Sequence, residues 1–396
     1  MDFQTISAII FVLLLSLFIF VKRKNIITHK ILFPLLYFSM YRTKIGLKFM
    51  DRVAKRFSKP LKYIAYFGVV IGFIGMVLIG VLLFVNSYKL FVQPEAQPGV
   101  GVVQPFKEGI PGTVFVPFFY FIISIFILAV VHEFSHGIIA KRYGLKIKSS
   151  GFAVLGILIP VLPAAFVEPD EKELRKRPAK EQLSIFAAGP FANILLAFIV
   201  LLITGFIVAP AVDSMIEFDG VLINDFIRVD DEIYPAEKAG MHKGEIIKEI
   251  DNIKADYLFN FSSILEGKSA GDAVNIKTNR GSYDISLAEN PEDKSKGYLG
   301  VYVKQSKKIK ESTTARFGNF LPMLLLWFVG LFYWLYILNL GIGLFNLVPI
   351  GPIDGGRMLR LSLLKFFKKE KAEKLWKFTG IFFLFLILIN ILFAFF

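Results

Sequence analysis

The apolar stretch VPFFYFIISIFILAVV, residues 116–131, runs straight into His132-Glu133-Phe134-Ser135-His136, and Gly137, Ile138, Ile139 and Ala140 carry the apolar character on. Ionisable groups are costly at membrane depth and default there to a functional reading. On a helix, His132 and His136 stand four residues apart on nearly one face. That spacing suits a tetrahedral zinc, with Glu133 beside it to take a proton from water on the metal. A chance HExxH on a solvated amphipathic helix would have polar flanks, which this run lacks.

The same character recurs along the chain. Of 396 residues, 55% are hydrophobic and 43 are phenylalanine, and several runs reach the roughly 20 residues that a bilayer crossing needs. The expected fold is a polytopic α-helical membrane protein. Cysteine is absent, so thiolate zinc sites and cysteine nucleophiles are excluded, and a metal must use histidine or carboxylate ligands. The net charge of +14 sits in loops beside apolar runs. It reads as a topology signal and as contact with lipid headgroups rather than with nucleic acid.

In chain order, residues 6–21 form a first span, followed directly by Lys22-Arg23-Lys24. A signal peptide would have its positive charge before the apolar core, so an uncleaved span with an outer N-terminus is expected. Residues 22–62 carry twelve Lys or Arg and read as cytoplasmic. Within them, the short run from Ile31 to Tyr41, broken by Pro34, is expected as an interfacial helix. Tyr63 to Val85 is a second span, with Gly68, Gly72, Gly75 and Gly80 available for close helix approach. A third, from Val116 to Ala140, carries the motif at its cytoplasmic end, ahead of Lys141 and Arg142. Residues 149–167 are apolar but too short and too rich in glycine and proline to cross, and are expected as a re-entrant hairpin beside the site. The fourth span, Leu183 to Ala211, opens with Phe186-Ala-Ala-Gly-Pro190-Phe-Ala-Asn193. Asn193 needs a polar partner in the membrane, either a site-facing one or a neighbouring helix.

Residues 212–316 turn charged, with short alternating strands and turn signals at Asp219-Gly220 and Asn279-Arg280-Gly281, as a soluble, mainly-β domain would. A fifth span covers Phe317 to Val348 and ends in Asn346-Leu-Val-Pro349-Ile-Gly351-Pro352-Ile-Asp354-Gly355-Gly356-Arg357. The prolines forbid an unbroken helix there, and Asp354 is expected as the acidic N-cap of a new one. Phe378 to Phe396 is a sixth span. The chain thus divides into residues 1–115, the two halves of a membrane core at 116–211 and 317–396, and the inserted domain at 212–316. Every basic loop falls on one side, which puts the HExxH site near the cytoplasmic face of a cell membrane and the inserted domain outside.

A catalytic zinc takes three protein ligands. The third is sought either among Glu168, Glu171 and Glu173, which lie in a charged, water-facing run, or at Asp354, which shares the histidines' side of the membrane and is preferred. HEFSH at 132–136, AAGPFAN at 187–193 and NLVPIGPIDGG at 346–356 together resemble the site-2 proteases, intramembrane zinc metalloproteases. Gly351 and Ile353 stand where proline and leucine are usual in many members. The resemblance implies one zinc held by His132, His136 and Asp354, Glu133 as general base, and a membrane-embedded β-hairpin at 149–167 that aligns an unfolded substrate strand. It implies hydrolysis of peptide bonds in or near the spans of single-pass membrane proteins. Asn193 and Asn346 are expected to offer amide contacts to the substrate backbone. Ala239-Gly240-Met241, the run Lys243 to Asn252, and Gly297-Tyr-Leu-Gly-Val resemble a PDZ core of bacterial type, which binds an extended peptide at a sheet edge and would filter substrate ectodomains. His242 in this domain reads as an ordinary surface residue. The competing reading is a zinc transporter or receptor without proteolysis, which would need no general base at Glu133.

Overall fold

The computed structural model describes residues 3–32, 36–93, 96–105, 109–157, 159–229, 232–291 and 293–395. The chain separates into two compact units, residues 1–204 with 329–396, and residues 205–328.

In the first unit, helix α1 (Phe3–Val21) is followed by strands β1 (Ile26–Leu32) and β2 (Leu36–Thr43), then by helices α2 (Leu47–Arg56), α3 (Ser58–Val92) and α4 (Phe118–Arg142). Strands β3 (Ile147–Ile157) and β4 (Ile159–Pro169) come next, then helix α5 (Ala179–Ile203), which passes through a π-turn at Thr204–Val208. The four strands form one antiparallel sheet in the order β1-β2-β3-β4.

This sheet corrects one expectation. The described part of residues 31–41 is strand rather than interfacial helix: Leu36–Thr43 pairs from Tyr37↔Gly156 to Thr43↔Ser150. Tyr37, Phe38, Tyr41 and Thr43 suit a pleated surface, and the partner strand lies more than a hundred residues downstream. Pro34, at which the run was expected to break, lies outside the described residues. The amphipathic helix of this region is α2 instead, which buries Met50 and Ala54 and exposes Lys48, Arg52, Lys55 and Arg56. Where a re-entrant hairpin was expected, residues 149–157 and 159–167 pair antiparallel within β3 and β4, as half of a four-stranded sheet.

The glycines of α3 are contact points. A Cβ at Gly68 would meet Phe191 at 3.2 Å, and one at Gly75 would meet Leu347 at 2.5 Å, so α5 and the segment after residue 346 press against the α3 backbone.

The second unit carries strands β5 (Ile216–Phe226), β6 (Ile246–Ile250), helix α6 (Leu258–Glu266), and strands β7 (Ala273–Thr278), β8 (Ser282–Ser286) and β9 (Val301–Ile309). The strands pair antiparallel in the order β8-β7-β6-β5-β9. Val221, Ile223, Ile247, Ile250 and Ile276 form its core with Phe261 of α6.

Glu245 is fully buried there and accepts hydrogen bonds from the His242 backbone N–H and Nδ1–H, the Thr278 hydroxyl and the Tyr283 hydroxyl. His242, expected as a plain surface residue, is 66% exposed yet has this buried partner. Burial alone would push the Glu245 carboxyl up. The bonds from Thr278, His242 and Tyr283 outweigh it and hold the group below the usual glutamate range. A carboxylate depressed by folding stabilises above its unfolded pKa of about 4.3 and loses that contribution as pH falls through the folded value. Glu245→Ala is therefore expected to destabilise this unit by about 1–3 kcal/mol at neutral pH and to flatten its acid transition below pH 4. Protease sensitivity of residues 205–328 in the full chain, followed against pH, measures both effects.

Helix α7 (Phe320–Phe345) begins within the second unit's residues and runs into the first, and helices α8 (Asp354–Phe366) and α9 (Lys369–Phe393) follow. Six helical segments among the described residues are long and apolar enough to cross a membrane: Gln4–Val21, Ser58–Val92, Phe118–Arg142, Ala179–Met215, Phe320–Phe345 and Lys369–Phe393.

Candidate metal centre

Helix α4 projects His132 and His136 from one face, with their ring centroids 4.7 Å apart. Their Nε2 atoms are separated by 3.1 Å. Asp354 Oδ2 stands 3.2 Å from His132 Nε2 and 3.3 Å from His136 Nε2. Zinc bound tetrahedrally at about 2.0–2.1 Å from each donor needs donors about 3.3 Å apart, so this triangle fits the ion. Two imidazoles and one carboxylate, with no sulfur, match the donor chemistry of a hydrolytic rather than a structural zinc.

Asp354 reaches the histidines because the chain cannot stay helical past α7. Pro349 and Pro352 break it, and Leu347 and Val348 are fully buried in the intervening turn. The Gly355 N–H donates to the Asn346 carbonyl at 2.8 Å and closes that turn. On the far side of α8, the Trp376 indole N–H donates to the Gly356 carbonyl at 2.9 Å. Asp354 is the first helical residue and Ile353 the cap, one position from the expected N-cap, so its carboxylate is turned to the histidines rather than to the helix end.

Helix α5 supplies the opposite wall. His136 Nδ1–H donates to the Ile185 carbonyl at 2.6 Å, which leaves Nε2 as the free ring nitrogen. Pro190 lacks the N–H that would bond the Phe186 carbonyl, so the helix is loosened at this turn. Gly189 lies against the triangle itself: a Cβ there would come within 2.4 Å of His136 Nε2 and 2.6 Å of His132 Nε2. Only glycine leaves room for a ligand between α5 and the histidines.

These groups open on a cavity of about 390 Å³ that also holds Glu133, Asn346 and Arg357. The Val167 N–H of β4 donates to Glu133 Oε2 at 3.0 Å, which ties the acid to the hairpin. Asn346, expected as a substrate contact, lines the cavity. Asn193 does not: it is fully buried, and its amide stands 3.2 Å from His132 Nδ1. The three glutamates considered as a third ligand are held by arginines. Glu168 pairs with Arg42 at 3.0 Å, Glu171 with Arg357 at 2.8 Å and Glu173 with Arg177 at 2.7 Å. The roles of Gly189, the Ile185 carbonyl and the Val167 N–H escaped the sequence reading, although AAGPFAN was singled out. The available signal was a spacing of four between Ile185, Gly189 and Asn193, which puts all three on one helical face.

The model of peptidase family M50 matches residues 120–387. The chain belongs to peptidase family M50. An uncharacterised protein of Methanocaldococcus jannaschii is 28% identical over 80% of this chain and 75% of its own length. Zinc metalloprotease RasP of Shouchella clausii is 23% identical over 50% of this chain and 54% of its own. Among solved structures, a PDZ domain of an SdrC-like protein from Listeria monocytogenes covers 22% of this chain and 88% of that domain, at 25% identity and a TM-score of 0.19. M50 peptidases are the site-2 proteases that the motifs resemble and depend on zinc, and this M50 chain is a multi-pass membrane protein of that metalloprotease family.

Proposed function

We propose that this M50 chain is an intramembrane zinc metalloendopeptidase that cleaves single-pass membrane proteins in or near their spans. The observation that carries the reading is the convergence of His132, His136 and Asp354 to 3.1–3.3 Å beside Glu133. His132, His136 and Asp354 would hold the metal. A zinc ion bound there supplies Lewis acidity to the scissile carbonyl and makes water acidic enough to attack near neutral pH.

Glu133 accepts the proton of the attacking water and returns it to the leaving amine. The Val167 N–H fixes one Glu133 oxygen, so the acid is aimed before substrate arrives. A substrate helix hides its amides in its own hydrogen bonds and must unwind before attack. Strand β4 ends its sheet and carries Val167, so a strand laid along the hairpin has its backbone led towards Glu133. Asn346 offers its amide to that backbone from the cavity wall. The basic loops beside the apolar runs support a site towards the cytoplasmic face, with the 205–328 unit, read as PDZ-like, selecting substrates outside by binding an extended peptide.

A transporter or receptor that merely binds zinc has no use for a base at Glu133, and this separates the readings. Purified protein incubated with single-pass substrates is expected to cleave them, and a chelator to stop it. Glu133→Gln is expected to lower the rate by roughly 100- to 10,000-fold while zinc stays bound. Equal cleavage by wild type and Glu133→Gln would reject the protease mechanism.

A further inference from the structure

We infer that Asn193 is a positioning residue for the metal: its side-chain oxygen accepts the Nδ1–H of His132 and so selects the tautomer in which Nε2 is free to ligate. The inference rests on the zinc reading of the site and goes beyond it to a residue that touches neither metal nor substrate.

The two histidines present the same chemical problem. Each aims Nε2 at the triangle, so each needs its proton on Nδ1 and an acceptor beside it. His136 has one in the Ile185 carbonyl, at 2.6 Å. The corresponding neighbour of His132 Nδ1 is the Asn193 amide, at 3.2 Å. As placed, the Asn193 nitrogen faces the ring, and the Asn193 oxygen, fully buried, has no hydrogen-bond partner. An amide N–H facing Nδ1 forces the ring proton onto Nε2, where no metal can bind. Exchanging the two amide atoms puts an acceptor against Nδ1–H and gives the orphaned oxygen its partner in one change.

The surroundings hold the side chain to this task. Asn193 lies one turn beyond Gly189 on the same face of α5, so the residue that makes room for the metal and the residue that orients its ligand are set by one helix. Gly343 of α7 closes the other side, where a Cβ would meet the Asn193 Cβ at 3.2 Å and the Pro190 carbonyl at 3.3 Å. Asn193 is absent from the lining of the site cavity, which separates it from Asn346.

The test measures zinc affinity by chelator competition in a Glu133→Gln background, where no turnover is needed. Asn193→Leu is expected to weaken zinc binding roughly 10- to 100-fold and to alter the visible spectrum of the cobalt-substituted protein. Asn193→Asp, whose carboxylate can only accept, is expected to restore affinity to wild-type level or better. Thermal unfolding of the metal-free forms shows whether Asn193→Leu still folds; if it does not, Asn193→Asp against Asn193→Ser decides, with Asp expected to bind the tighter. Unchanged zinc affinity in Asn193→Leu, with a raised KM for substrate in the active background, would overturn the inference in favour of a substrate contact. A parent protein that binds no zinc would instead sink the metalloprotease reading itself.

Discussion

Gly189→Ala is expected to empty the metal centre. The added methyl carbon would sit 2.4 Å from His136 Nε2 and 2.6 Å from His132 Nε2, in the space the metal needs and well inside van der Waals contact. Neither ring can retreat without giving up its Nδ1 partner on the same helix. Alanine is the better helix former by about 1 kcal/mol, so the loss cannot be ascribed to a weakened α5. Zinc per purified chain is expected to fall to background, and cleavage by at least about 100-fold, while the metal-free protein still folds. Gly341→Ala is the matched control, because a Cβ there meets nothing within 4 Å. Stoichiometric zinc in Gly189→Ala would show that α5 does not bound the site.

The second large effect is expected at Gly355. A Cβ there would lie 2.1 Å from the Leu347 carbonyl oxygen and 2.3 Å from its carbon. These are backbone atoms of a buried turn, with no flexible side-chain end to give way. Gly355 also follows Asp354 directly and closes the turn through its N–H to the Asn346 carbonyl. Gly355→Ala must push the start of α8 away from that turn, and Asp354 moves with it. A misplacement of about 1 Å at a catalytic group costs on the order of 100-fold in rate. Cleavage is expected to drop by that order with zinc affinity reduced in parallel, and an activity within a few-fold of wild type would mean that the turn has slack.

Local and topological information in the sequence makes much of this candidate site legible. The histidine pair is a property of five consecutive residues on a helix, and the sidedness of basic loops brought Asp354 to its level from more than two hundred residues away. Asn193 could be flagged as a buried polar group, but its partner could not, because a spacing of four names a face without saying what packs there. The strand pairing of Tyr37 to Tyr41, where a helix over residues 31–41 was expected, was hidden for a related reason. That apolar run is too short to decide between helix and strand, and the deciding partner, 147–157, is remote in sequence. The α2 amphipathic helix beside it has the 3.6-residue period that residues 31–41 lack.

The spacing of Ile185, Gly189 and Asn193 also bears on how the protein can move. Turning α5 by one residue about its axis swings every side chain on it by about 100°. Such a turn would take the acceptor from His136, the neighbour from His132 and the gap from the metal together. Any movement that keeps the metal centre intact therefore has to keep α4 and α5 in this register. A crosslink between α4 and α5 that spares the site is a restraint that zinc binding is expected to tolerate.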